Sequence, residues 1–240
     1  MPLTAGVLII GSLLWDPDPM RESWRNERLV MNSAENVTAP IRYGRLSSSR
    51  GNSYTMVFSR LCPAGHAKLI RCSHTIVTLQ DLITEAEWLW KAEQPRAKAH
   101  RIAADWGCVA LLCNPEREIP ADLLSRWAER VDREPDYGRV SQTEAEGVLV
   151  SETGLLLIDW PRLVEGGAAV DVDLLLVTAN DPEITPSSRT YPTVKAIAEA
   201  WNRAGEHVEY FWKNTDSGIS TFQDDEIRAR LRSRQLSPKS

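Results

Sequence analysis

The chain has 240 residues, of which 42% are apolar and 25% charged, with a net charge of −5. This length allows one large domain or two small ones with a full core. The mixed, slightly acidic charge excludes a basic nucleic-acid footprint, and no apolar run reaches membrane-spanning length.

Residues 7–10 (Val7-Leu8-Ile9-Ile10) form a short, continuously apolar run, the pattern of a strand buried on both faces. No basic segment precedes it, so a secretory signal is not expected. Gly11-Ser12 breaks the run, Leu13-Leu14-Trp15 follows, and Asp16-Pro17-Asp18-Pro19 turns the chain. Residues 21–30 carry Trp24 and Leu29 among charges, as a short helix or an irregular arm. Residues 36–44 and 54–58 read as strands, separated by a polar, turn-rich segment at 45–52. A tight turn is expected at 62–66 and a further strand at 67–77.

Thr78 caps a helix, with Asp81 three residues on in the manner of a capping box. Leu79, Leu82, Ile83, Ala86, Leu89 and Trp90 give it an apolar face; Glu85, Glu87 and Glu93 are read as lying between those positions. It ends near Gln94-Pro95. Residues 106–113 predict a second buried strand and 120–131 an amphipathic helix. The polar, proline-bearing segment 132–138 is the best internal boundary, dividing the chain into 1–135 and 136–240. Beyond it the pattern predicts a hairpin over 147–160, a strand at 171–178, a proline-rich loop at 180–192 and a helix at 194–204 stopped by Gly205. A short strand at 208–212 follows, then a last helix capped by Ser220-Thr221 with Asp224, Asp225 and Glu226 in its first turn. Its arginines at 228, 230, 232 and 234 read as a solvated tail.

The four cysteines, Cys62, Cys72, Cys108 and Cys113, include no pair with Cys-x-x-Cys spacing, so they read as reduced thiols of a cytoplasmic protein. Cys62, His66, Cys72 and His74 do not have a common zinc spacing, and no metal is expected. Asp216, Asp224 and Asp225 are better explained by helix capping than by a cation. No phosphate-cradling glycine motif occurs, so no nucleotide cofactor is expected. The helical acids are more informative. Glu85 and Glu87 diverge by about 160° around the helix, so at most one faces the apolar side. A carboxylate held among Trp88 and Trp90 would have its pKa raised towards the range useful for proton transfer; the plainer reading is two solvated acids pairing with Lys91 or Arg96.

The order of these features resembles the γ-glutamylcyclotransferase-like proteins. Those open with a strand running into a Tyr-Gly-Ser-Leu/Asn-Leu turn, and one branch continues with Trp; here the residues are Ile10-Gly11-Ser12-Leu13-Leu14-Trp15, with Ile10 at the position of the tyrosine. Gly44-Arg45-Leu46 and Arg50-Gly51 are similar to the family's next segment. The helix from Leu79 to Glu87 is similar to Leu-x-x-Leu-Asp-x-x-Glu, whose last acid is the family's general acid/base. The resemblance spans residues 5–95.

It implies an α+β fold: a mixed, partly closed β-barrel with flanking helices, plus a C-terminal α/β elaboration that can pack on the same core. It implies release of 5-oxoproline from a γ-glutamyl amine or peptide by internal aminolysis, without metal or cofactor. Glu87 would be the catalytic acid/base, or Glu85 if the register differs. Gly11, Ser12, Leu13 and Leu14 would offer backbone donors, and Arg45 and Arg50 would pair with a substrate carboxylate, against a plain reading of both arginines as solvated loop residues. The implied partner is a small γ-glutamyl compound, with neither nucleic acid nor membrane. Two other readings stand beside this one: a non-catalytic small-molecule binding or interaction protein that retains the fold, and a different enzyme sited around Asp216 and Asp224.

Overall fold

The computed structural model describes residues 2–60, 62–137, 148–182 and 190–235. Gly138 of the expected boundary, Gly147 of the expected hairpin, Pro186 of the expected loop and the side chains of Arg232 and Arg234 lie outside the described residues.

The apolar run near the start is β1 (Ala5–Ile9), buried at all five positions. It lies inside a seven-stranded mixed sheet. The other strands are β2 (Glu35–Ser47), β3 (Ser53–Phe58), β4 (Ala64–Arg71), β5 (Ala103–Ala104), β6 (Gly107–Cys113) and β7 (Leu174–Asn180), in the order β3-β2-β4-β1-β7-β6-β5. β1 pairs antiparallel with β4 and parallel with β7, and every other pairing is antiparallel. Two neighbours and two covered faces explain why β1, β6 and β7 read as continuous hydrocarbon instead of alternating.

The helices are α1 (Pro19–Arg28), α2 (Leu79–Glu93), α3 (Ala121–Asp132), α4 (Val194–Arg203), α5 (Glu209–Asp216) and α6 (Asp224–Gln235). They bury Trp24, Trp90, Trp127 and Trp201 against one core. No helix among the described residues is long and apolar enough to cross a membrane.

The fold is α+β with flanking helices, as expected, but the sheet is open. β3 and β5 are its two edges. β5 has only two residues, too short to pair with β3 and close a barrel, while α4 packs beside β3. β7, from the segment after residue 136, inserts between β1 and β6 in the middle of this sheet.

Several elements differ from the expectation. β2 runs on to Ser47, through a bulge between Tyr43 and Arg45 that shifts the register against β3. A bulge re-aims the side chains beyond it, here Arg45 and Ser47. The tight turn at 62–66 is instead the start of β4, which ends at Arg71. Gly65 is needed there: a Cβ would lie 2.2 Å from the Ser220 carbonyl oxygen, beside the His66–Ser220 bridge. The expected strand at 208–212 is helical, a 3-10 turn (Gly205–Val208) running into α5. Tyr210, Phe211 and Asn214 are its buried positions, a helical spacing that a five-residue window does not separate from a strand. The expected hairpin is reduced to a Val150–Leu156 bridge.

The α2 capping box is present: Thr78 Oγ1 accepts from the Asp81 amide at 3.3 Å, and Asp81 accepts from the Thr78 amide at 2.7 Å. Thr78→Ala should therefore lower stability by about 1 kcal/mol, seen as a lower urea midpoint at unchanged slope.

Candidate functional site

The Gly11-Ser12-Leu13-Leu14 segment forms a single 3-10 turn (Ser12–Leu14) at the end of β1. The Leu14 amide donates to the Gly11 carbonyl at 3.3 Å and the Asp16 amide to the Ser12 carbonyl at 2.8 Å. Gly11 is extended, so its requirement is steric: a Cβ there would sit 2.8 Å from the Tyr210 hydroxyl oxygen of α5. Tyr210 is buried and stacks on Trp201 at 5.5 Å.

Arginines hold this turn. Arg21, Arg25 and Arg28 recur at i, i+4 and i+7, one stripe of α1. Arg21 donates to Ser12 Oγ at 3.1 Å, to Asp16 at 2.6 Å and to the Ala92 carbonyl at 3.0 Å. Arg25 donates to the Leu13 carbonyl at 2.7 Å and the Asp16 carbonyl at 2.9 Å. Arg28 instead pairs with Glu85. From the opposite side Arg50 donates to Ser12 Oγ at 2.8 Å, and its guanidinium lies 4.7 Å from the Tyr210 ring.

Arg21 and Arg50 border a cavity of about 250 Å³ at the C-terminal ends of β1 and β7, the one parallel pair among the described strands. Ligands commonly bind outside the carboxyl ends of parallel strands. Gly11, Ser12, Arg21, Arg45, Arg50, Glu93, Thr178, Asn180 and Tyr210 all line it. Arg45 rests on the Trp106 ring at 4.6 Å, and Trp106 stacks on Trp90 at 5.1 Å. An outer groove lined by Asp16, Asp18, Arg96 and again by Arg21, Arg50 and Glu93 continues from it towards solvent.

Glu93 ends α2 in this cavity. Although the residue keeps some exposed surface, burial of its carboxyl raises the pKa above the ordinary carboxylate value, opposed by Arg21, Arg45 and Arg50 and assisted by Asp16. A carboxylate in the last turn of a helix also meets the negative end of the dipole. The cavity thus holds one acid that retains its proton more tightly than usual, among three guanidinium groups. Burial likewise raises the Tyr210 phenol, with Arg50, Asn214 and the Met56 backbone opposing it.

The structure brings together Gly11, Ser12, Leu13, Arg45 and Arg50, but not Glu87. Glu87 points to the far side of α2, where it meets His100 at 3.1 Å in a separate groove with Trp88 and Lys98. Glu85 is 3% exposed and ion-paired with Arg28; burial raises its pKa, and Arg28 and His74 oppose the rise. Leu14 does not line the cavity. Asp224 accepts from the Thr221 amide and hydroxyl as a buried helix-start acid, while Asp225 and Glu226 pair with Arg228 and Arg230. No group of three His, Cys, Asp or Glu among the described residues is placed to hold a metal. Burial pushes the Cys108 thiol up to about 12.

Glu93 was legible. Leu82, Ala86, Leu89 and Glu93 fall at i, i+4, i+7 and i+11, so this acid continues the buried stripe and does not lie between apolar positions. Arg21 was hidden, since a charged stripe on a short helix reads as solvent-facing.

No family model, no curated protein and no solved structure matches the chain.

Because the folded protein holds the Glu93 proton more tightly than the unfolded chain does, stability present below the unfolded pKa is lost as pH rises through the folded one. Glu93→Gln, a neutral mimic, should therefore be more stable than wild type at pH 8. The gain should vanish below about pH 4, the ordinary glutamate range. Denaturant melts across pH measure this.

Proposed function

We propose that the protein is a cofactor-free enzyme that releases 5-oxoproline from a small γ-glutamyl compound, with Glu93 as its general acid/base. The observation that carries this reading is the convergence of the Gly11-Ser12-Leu13 turn, Arg45, Arg50 and a carboxyl of raised pKa on one cavity. The family-like motif supports it from the sequence, with the acid moved from Glu87 to a position six residues later on the same helix.

The α-amine of the γ-glutamyl group attacks its own γ-carbonyl carbon. One C–N bond forms and closes the five-membered ring; the C–N bond to the leaving amine breaks. Tethering supplies the proximity, so the protein has to hold the folded-back chain and move protons. Glu93 as carboxylate takes a proton from the attacking amine, then returns one to the departing nitrogen. A raised pKa brings the two forms closer in free energy at neutral pH than in an ordinary glutamate. The Ser12 and Leu13 amides begin a helical turn and have no acceptor inside it, so they suit a developing oxyanion. Arg45 and Arg50 suit the substrate carboxylate, and against Glu93 and Asp16 the three cavity arginines leave a net positive lining for it. A cavity of about 250 Å³ sits below the usual range for drug-sized ligands and fits a metabolite-sized group. The outer groove then receives the leaving amine.

A screen of γ-glutamyl amines and dipeptides, reading 5-oxoproline, tests the reaction. Glu93→Gln should lower turnover at least about a hundredfold, while Glu87→Gln leaves it within about twofold. The reverse ranking would move the acid back to Glu87. No product from any γ-glutamyl compound, together with saturable thermal stabilisation by one of them, would instead mark a binding protein.

A further inference from the structure

The inner wall of the cavity carries two polar atoms that no described residue satisfies. Thr178 and Asn180 are two residues apart on β7, so their side chains share one face of the strand, and both line the cavity. Thr178 is 9% exposed, and its Oγ1 is buried with no hydrogen-bond partner among the described residues. Asn180 Oδ1 is buried and equally without a partner. Buried polar atoms are nearly always hydrogen-bonded, and leaving one unmade is costly. Two unpartnered oxygens side by side on a cavity wall call for a ligand group that donates more than one hydrogen bond.

The rest of the lining narrows the choice. Arg21 and Arg50 present donors, and both already bind Ser12 Oγ. Guanidinium groups cannot accept from a ligand. Hydroxyl-bearing residues such as Ser12, Ser49 and Thr55 also line the cavity, and the Glu93 carboxyl lies among them, so with Thr178 and Asn180 the lining offers guanidinium donors for an anion and side-chain oxygens for a cation. A zwitterionic amino-acid head matches both, with carboxylate on the arginines and ammonium on the oxygens.

We propose that Thr178 and Asn180 form the subsite for the α-ammonium group of the substrate, so that the protein selects γ-glutamyl compounds whose α-amine is free. This rests on the γ-glutamyl reading above. It assigns substrate selection to two residues of the segment after 136, outside the stretch that carries the family-like motif. In the reaction the two oxygens hold the ammonium until Glu93 removes its proton, and they aim the resulting amine at the γ-carbonyl carbon.

Calorimetry in the Glu93→Gln background, where turnover is suppressed, tests it with γ-glutamyl-alanine against glutaryl-alanine, the same molecule without the α-amine. The parent should bind the amine-bearing compound about tenfold to a hundredfold more tightly, the range for hydrogen bonds to a charged group. Thr178→Val with Asn180→Leu should erase that preference by weakening γ-glutamyl-alanine alone. Thr178→Ser should keep it, and Asn180→Asp, which adds a negative charge, should increase it. Equal affinity of the parent for both compounds, the outcome if only water occupies this wall, overturns the subsite. So does a preference that survives the Val/Leu exchange, or, if that protein does not fold, one that Asn180→Asp fails to increase. Binding of neither compound overturns the subsite together with the γ-glutamyl reading. A clear preference for the amine without 5-oxoproline release by wild type leaves the subsite standing and removes only the reaction.

Discussion

One guanidinium group fixes the relation between the two halves of the candidate site. Arg21 donates to Ser12 Oγ and Asp16 on the loop after β1, and to the Ala92 carbonyl at the C-terminal end of α2. The last carbonyls of a helix have no partner within it, so an arginine that reaches them satisfies a need the helix creates. The same contact sets the distance between the loop and Glu93, the next residue. Arg25 completes the clamp by bonding the Leu13 and Asp16 carbonyls, so the loop is tied down by side chains from a helix that contributes little else to the cavity.

The sheet supplies the rest by its order. β1 and β7 run parallel, so their carboxyl ends open on the same side, and the loop after β1 meets Thr178 and Asn180 there. The segment after residue 136 is therefore built into the cavity and is not an addition to its outside. It also contributes Tyr210, whose hydroxyl comes up against Gly11, next to Ile10. Ile10 is buried hydrocarbon at the position where the family-like motif has a tyrosine, and the phenol near this loop comes from α5 instead.

What could be read from the sequence follows from how local each feature is. β1, the capping box at Thr78 and Asp81, and the helix that ends before Pro95 were legible because each depends on residues within a few positions of one another. The turn after β1 was legible as a motif, and the same motif singled out Arg45 and Arg50, which line the cavity. Glu93 was legible in principle, from its place in the stripe of Leu82, Ala86 and Leu89, but the motif drew attention to Glu87. The openness of the sheet was not legible, because the strand order that leaves β3 and the two-residue β5 as its edges depends on β7 pairing with β1 across about 170 residues of chain. Nor was the helical character of α5, whose apolar cluster is too short to reveal a period. Thr178 and Asn180 look like ordinary strand residues until the fold leaves their oxygens without partners among the described residues.

The central claim is that Glu93 is a proton-holding acid inside a ligand cavity. Carbon-detected NMR of its side-chain carboxyl, titrated with and without γ-glutamyl-alanine, tests this most directly. The account predicts an inflection above the ordinary glutamate range, absent in Glu93→Gln and displaced when the compound binds. An inflection at the ordinary value that does not respond to the compound would contradict it.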